Sequence, residues 1–174
     1  MTDWLAITAG DAPLIVSVPH AGTIIPEDVS GLASPELARR DADHHVERLY
    51  AFAAGLGATI LHSRISRTVI DVNRDPSGAS LYPGQVTTEL CPTTTFDGEP
   101  LYRPGHEPDA AEVARRRATY FDPYHAALAA AEAGAGGLRR GPRPGAAPTG
   151  PGPGRRRCAR LHGASAARGS ERGL

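Results

Sequence analysis

The residues of this chain that could do chemistry fall into four groups. His20-Ala21-Gly22 follows an apolar run that ends in Pro19. Asp41 and Asp43 come next, with His44 and His45 directly behind them. Arg67, Asp71, Asn73 and Arg74 form a third group, and His125 stands alone. An imidazole and a carboxylate brought together can share a divalent metal, and paired guanidiniums suit a substrate that carries carboxylates. Each group also has a plain structural reading. A histidine after a strand is as often structural as chemical, and either aspartate could cap the helix that follows it. Internal Arg67–Asp71 or Arg74–Asp75 ion pairs would account for the third group equally well. His44 and His45, being adjacent, diverge by ~100° on a helix and cannot both face one ion. His125 shares a helical face with Ala118, Phe121 and Leu128 and reads as a satisfied core histidine.

The elements that must position these groups are legible in outline. Pro13 to Pro19 is a β-branched apolar run between breakers and predicts a buried strand. His20 then lies just past its carboxyl end, where open α/β sheets place their ligands. Ser34-Pro35-Glu36 predicts a helix start. Val46, Leu49, Tyr50 and Ala53 predict a second helix ended by Gly55, with Asp43 on its inward face. Residues 58–62 predict a second strand, completing a β-α-β unit and favouring a parallel sheet. Alternation over Thr68 to Asn73 predicts a third strand. From Pro76 to Pro104 the chain is rich in Pro, Gly, Thr and Ser but carries Leu81, Tyr82, Leu90, Phe96, Leu101 and Tyr102, which predicts a folded lid. Asp109 opens a further helix with capping-box-like spacing, and Asp122-Pro123 restarts it.

Composition divides the chain in two. Its 174 residues carry 19 Arg and no Lys, and its formal net charge is zero. That neutrality is an average: residues 1–131 hold 10 of the arginines and 17 of the 19 acids, whereas residues 132–174 hold 9 arginines and 2 acids. The second stretch contains 11 of the 20 glycines, no aromatic residue, no Ile and no Val. So little apolar area cannot offset ~1–2 kcal/mol of backbone entropy per residue, and the expectation is a disordered tail. Its Ala, Gly, Pro and Arg are what GC-rich codons give in a wrong reading frame, so it reads as non-native sequence. The other reading, a basic nucleic-acid arm around Arg155–Arg157, lacks aromatic stacking residues; no nucleic-acid partner is expected. No uncharged apolar run approaches the ~18 residues of a membrane span, no secretory signal is visible, and Cys91 and Cys158 offer neither a disulfide framework nor a metal pair. A cytoplasmic protein without a membrane partner is the expectation.

The segments taken together resemble the N-formylglutamate deformylase (amidohydrolase) family of histidine degradation. The resemblance is carried by VPHAG at 18–22, DADHHVERLYAFA at 41–53, SRTVIDVNRDPSG at 66–78, SLYPGQVTTELCPTTTFDGEPLYR at 80–103 and YFDPYHAAL at 120–128. It implies an α/β fold similar to the zinc exopeptidases (phosphorylase/hydrolase-like), a mixed sheet flanked by helices. It also implies one divalent metal, zinc, and hydrolysis of N-formyl-L-glutamate to formate and L-glutamate. Zinc would polarise the formyl carbonyl and acidify the attacking water, and a carboxylate would act as general base. Carried over by position, His20 resembles a metal ligand, with Asp41 or Asp43 as the acidic one. Arg67, Asn73 and Arg74 match the motif that grips substrate carboxylates, and His125 matches a family histidine.

Two departures accompany the resemblance. Position 44 is His where the family pattern has Trp. The family also continues beyond this region into a strand ending Asp-Ala-His-Ser, a source of a further ligand and of later site residues, the general base among them; residues 132–174 contain nothing similar, and no strand is read before His162. The expectation is therefore an amidohydrolase domain over residues 1–131, incomplete at its carboxyl end, whose activity is in question. The alternative is an inactive fragment or a binding module for acidic amino acids.

Overall fold

The computed structural model describes residues 3–76, 89–137 and 160–162. Four strands, β1 (Leu5–Thr8), β2 (Ile15–Val18), β3 (Thr59–Ser63) and β4 (Arg160–His162), form a mixed sheet in the order β1-β3-β2-β4. β2 is parallel to β3 and to β4, and β1 runs antiparallel to β3. The β-α-β unit is present. Between β2 and β3 lie α1 (Pro35–Arg40), the single turn α2 (Val46–Leu49) and a 3₁₀ turn, Ala51–Leu56.

All four residues of β2 are buried, because its two faces meet different layers. Val16 and Val18 pack with Ala53, Ala58, Val46 and Tyr50 beneath α2 and the 3₁₀ turn. Ile15 packs with Leu61 and Leu128 of the carboxy-terminal helix on the other face, where the Ser17 hydroxyl meets Tyr124 Oη at 2.7 Å. A third cluster joins Trp4, Ile65, Val69, Ile70, Val72, Phe121 and Tyr124, with Trp4 and Tyr120 edge to face at 5.2 Å.

The helix starts agree with their cap residues. Ser34 Oγ accepts from Leu37 N–H at 3.2 Å with Pro35 next to it, and Asp109 Oδ1 accepts from Glu112 N–H at 2.8 Å. After α3 (Ala110–Arg116) the chain does not restart at Asp122. It continues through a π turn, Arg117–Phe121, into α4 (Asp122–Gly137). Pro123 has no N–H for the preceding turn, and the wide turn just ahead of it relieves that clash without breaking the helix.

Several expectations are corrected. The helix predicted from Val46 is one α turn followed by 3₁₀, closed by Gly57 (φ 74°), not Gly55. Val46, Tyr50 and Ala53 face the sheet, but Leu49 is 66% exposed, so the apolar stripe is narrower than its spacing implies. The segment Thr68–Val72 is a buried turn and not a strand. Its polar side chains take up backbone groups: Ser66 Oγ and Thr68 Oγ1 both donate to Ala38 O of α1, about thirty positions away, and locally Asp71 Oδ1 accepts from Asn73 N–H. β1 carries no strong sequence signal and forms by pairing with β3. Within the Arg-rich carboxyl stretch, Arg160–His162 is a strand in register with Ile15–Ser17, so His162 does lie on a strand. The remainder of that stretch beyond Gly137 lies outside the described residues, as do Leu81, Tyr82 and Cys158. Of the expected lid, residues 89–104 are described, and Leu101 and Tyr102 are buried against Ala38.

Candidate active site

β2 delivers His20 to the sheet's carboxyl edge, and Gly22 lets the chain leave it. A Cβ at Gly22 would overlap the backbone of Arg64 and Ile65, which follow β3. Only glycine allows that approach, and Ile24 N–H then bonds to Arg64 O at 2.9 Å. His20 is 5% exposed. Its Nε2 lies 2.7 Å from Asp71 Oδ1, and its Nδ1 lies 3.5 Å from Asp43 Oδ2. Asp43 is held beside it by its own backbone, whose N–H donates to His20 O at 2.9 Å.

The structure thus separates the two candidate aspartates. Asp43 faces the imidazole. Asp41 closes α1, and its Oδ2 accepts from Phe96 N–H at 2.8 Å. His44 and His45 are both exposed, with ring centroids 6.2 Å apart. His45 adopts φ 67° at the start of α2.

Asp71 is the residue whose place the sequence did not disclose. It lies next to the two arginines in the chain, but its bond to His20 spans 51 positions. Its carboxylate is fully buried and takes Arg67 on Oδ2 at 2.7 Å, with Arg74 Nε at 3.4 Å on the same oxygen. Burial alone would raise this carboxyl's pKa. The hydrogen bond and charge of His20, the Arg67 guanidinium and the Asn73 N–H together hold it far below the usual carboxylate range. For His20, burial opposes protonation but hydrogen bonds to Asp43 and Asp71 more than offset it, and the net shift is upward.

The three candidate carboxylate-gripping residues are not equivalent. Arg67 is 4% exposed, bonded to Asp71, and lies 4.6 Å beneath the ring of Phe96, a residue that sequence reasoning treated only as an anchor. Arg74 keeps 30% of its side chain exposed, and the Asn73 side chain is exposed. His125 is a packing residue, as its helical face implies: it sits 4.3 Å from the Phe121 ring, and its Nε2 donates to Val72 O at 2.8 Å.

The sequence model of N-formylglutamate amidohydrolase matches residues 12–137, and those residues include every element of this site. The chain belongs to the N-formylglutamate amidohydrolase family. It is 43% identical over 130 residues to the N-formylglutamate deformylase of Pseudomonas aeruginosa, covering 74% of this chain and 48% of that protein. With the deformylase of Pseudomonas putida it shares 40% over 125 residues, covering 71% of this chain and 46% of that one. The chain spans about half the length of the curated relatives it matches. Among solved structures, the N-formylglutamate amidohydrolase from Ralstonia eutropha superposes with a TM-score of 0.61 at 31% identity, over 75% of this chain and 52% of that one. A gene product of Agrobacterium tumefaciens gives a TM-score of 0.57 at 24% identity over 78% of this chain and 52% of that one, a likeness of fold.

Whether the site suits a metal can be judged from His20 and Asp43. Two ligands of one tetrahedral zinc, each ~2.0–2.1 Å from the ion, stand about 3.3–3.4 Å apart, and the Nδ1–Oδ2 separation of 3.5 Å is close to that edge. The other ring nitrogen bears a carboxylate, the usual outer partner of a metal-binding histidine. Asp43 and Asp71 lie on opposite nitrogens and do not converge on one point. Among the described residues no group of three or more His, Cys, Asp and Glu side chains is placed to hold an ion. His20 and Asp43 fit as two ligands of a site that needs a third.

Proposed function

We propose that this chain carries the amino-terminal part of an active site that hydrolyses N-formyl-L-glutamate to formate and L-glutamate. The observation that carries the reading is the His20–Asp43 pair at the carboxyl edge of the sheet, beside the partly exposed Arg74, in a chain of this family. His20 and Asp43 would hold a divalent cation, zinc by their chemistry, with a third ligand from elsewhere. When bound, that cation supplies Lewis acidity for the formyl carbonyl. Arg74 and Asn73 are the exposed groups of their motif and would meet the substrate's carboxylates. Arg67 works from below, holding Asp71 and through it His20. Phe96 shields that buried pair from water. The same reading places the reaction in histidine breakdown in the cytoplasm, on a scaffold of the zinc-exopeptidase kind.

A second reading is favoured by the incomplete ligand set: the chain holds acidic amino acids and does not turn them over. Zinc uptake by the full chain, lost in His20→Ala, and formate release from N-formyl-L-glutamate test the first reading, which fails if the chain neither takes up zinc nor releases formate. Calorimetry with L-glutamate in the absence of metal tests the second. Heat of binding abolished by Arg74→Met, without formate release, would establish it.

A further inference from the structure

We propose that Asp71 is the positioning residue that sets the tautomer of His20, keeping its proton on Nε2 and turning the Nδ1 lone pair toward Asp43, where a divalent cation can take it. The inference rests on the reading of His20 and Asp43 as a cation-binding pair. It concerns a group outside that pair.

The Asp71 side chain is fully buried, and both oxygens are engaged: Oδ1 by His20 Nε2 at 2.7 Å and Asn73 N–H at 3.0 Å, Oδ2 by Arg67 at 2.7 Å and Arg74 at 3.4 Å. Two guanidiniums on one oxygen keep it ionised, and an ionised carboxylate only accepts. Nε2 therefore donates. A neutral imidazole has one N–H, so Nδ1 must then present a lone pair. Arg67 Nη1 lies 3.5 Å from that nitrogen and can only donate, which agrees with a lone pair there, and Asp43 Oδ2, also at 3.5 Å, is the longer of the ring's two carboxylate contacts, the shorter being Asp71 at 2.7 Å. If Asp71 served only to neutralise Arg67, Oδ2 would be enough. The short second bond aimed at Nε2 is the feature that such a role leaves unexplained.

The two roles are separated by reading the proton directly. Two-bond ¹H–¹⁵N spectra of the metal-free full chain, recorded above the imidazole's pKa, report which nitrogen of His20 carries hydrogen. The unaltered chain and Asp43→Asn should both show Nε2–H. In Asp71→Asn, Arg67 and Arg74 on the Oδ2 side compete with the single Asn73 N–H on the Oδ1 side for the amide oxygen; two guanidiniums should win it, turning the amide NH₂ toward Nε2, and the ring should answer by moving its proton to Nδ1. Zinc affinity, measured by competition with a chromophoric chelator, should fall about 10–100-fold in Asp71→Asn, as for other outer partners of metal-binding histidines. In Asp43→Asn it should fall while the tautomer stays unchanged. An Nδ1–H imidazole in the unaltered chain would overturn the proposal, and that measurement needs no variant to fold. A folded Asp71→Asn chain that keeps both Nε2–H and the full zinc affinity would overturn it as well. If the tautomer follows Asp71 but the unaltered chain takes up no zinc, the positioning role is upheld and the cation-binding reading of His20 and Asp43 fails.

Discussion

The ring of Phe96 lies 4.6 Å from the guanidinium carbon of Arg67 and closes over a cation that is itself bonded to Asp71. Phe96 is 52% exposed, so the contact is a cover on the buried pair and not part of the core. Replacing it by alanine should cost about 1 kcal/mol, the scale of a partly solvated cation–π contact. The measurement is the urea midpoint of Phe96→Ala against the unaltered chain; an unchanged midpoint would show that the ring does not shield Arg67.

Asp41 and Asp43 differ by two positions and should differ in kind. Asp41→Ala removes the acceptor for Phe96 N–H and should lower stability by about 1 kcal/mol, leaving zinc uptake as it was. Asp43→Ala should abolish zinc uptake with little loss of stability, because its side chain is partly exposed. Equilibrium dialysis with zinc and a denaturation curve for each variant decide the matter, and equal zinc loss in both would undo the distinction.

Glu112 should make the fold acid-sensitive. Hydrogen bonds from Arg115, then from Arg116, outweigh burial and lower its carboxyl from 4.5 to about 2. A depressed pKa in the folded state adds stability that is fully present above the unfolded value, near 4.5, and is lost as pH falls toward 2. With the pair 27% exposed on the Glu112 side, solvent screening leaves about 1–2 kcal/mol. Unfolding free energies of the unaltered chain and Glu112→Gln, compared at pH 6 and pH 3, should differ more at pH 6. A constant difference would assign the effect to packing.

Gly22→Ala should destabilise by about 1–3 kcal/mol, the usual cost of forcing a methylene into filled space. Here the atoms in the way are backbone, at Arg64 and Ile65, and cannot rotate aside. Because His20 lies two residues earlier, the same change should weaken zinc uptake. A variant with the original thermal midpoint would show that the loop relaxes freely.

What the sequence determined by itself is local. The apolar run of β2 and the Ser34 and Asp109 caps are each specified by neighbours within a few residues, and each stands as read; His125 is satisfied as its helical face implies, but it is half-buried and Ala118 of that face is exposed. The position of His20 past a strand end follows from the same kind of signal. The limits of that signal show at Thr68–Val72, where alternating side chains suggested a strand. Ser66, Thr68 and Asp71 bond to the backbone instead, and the turn is buried on all sides.

The tertiary structure decided everything that joins distant segments. Period and capping do not encode that Asp71 reaches His20 across 51 positions, that Asp43 and not Asp41 faces the imidazole, or that Phe96 covers Arg67. Strands β1 and β4 belong to the same class, since neither is bounded by the breakers that mark β2 and each forms through the ladder it joins. The physical reason is that a buried charge is tolerable only where its partners converge on it, and that convergence is a property of the folded sheet and its loops rather than of any stretch of chain.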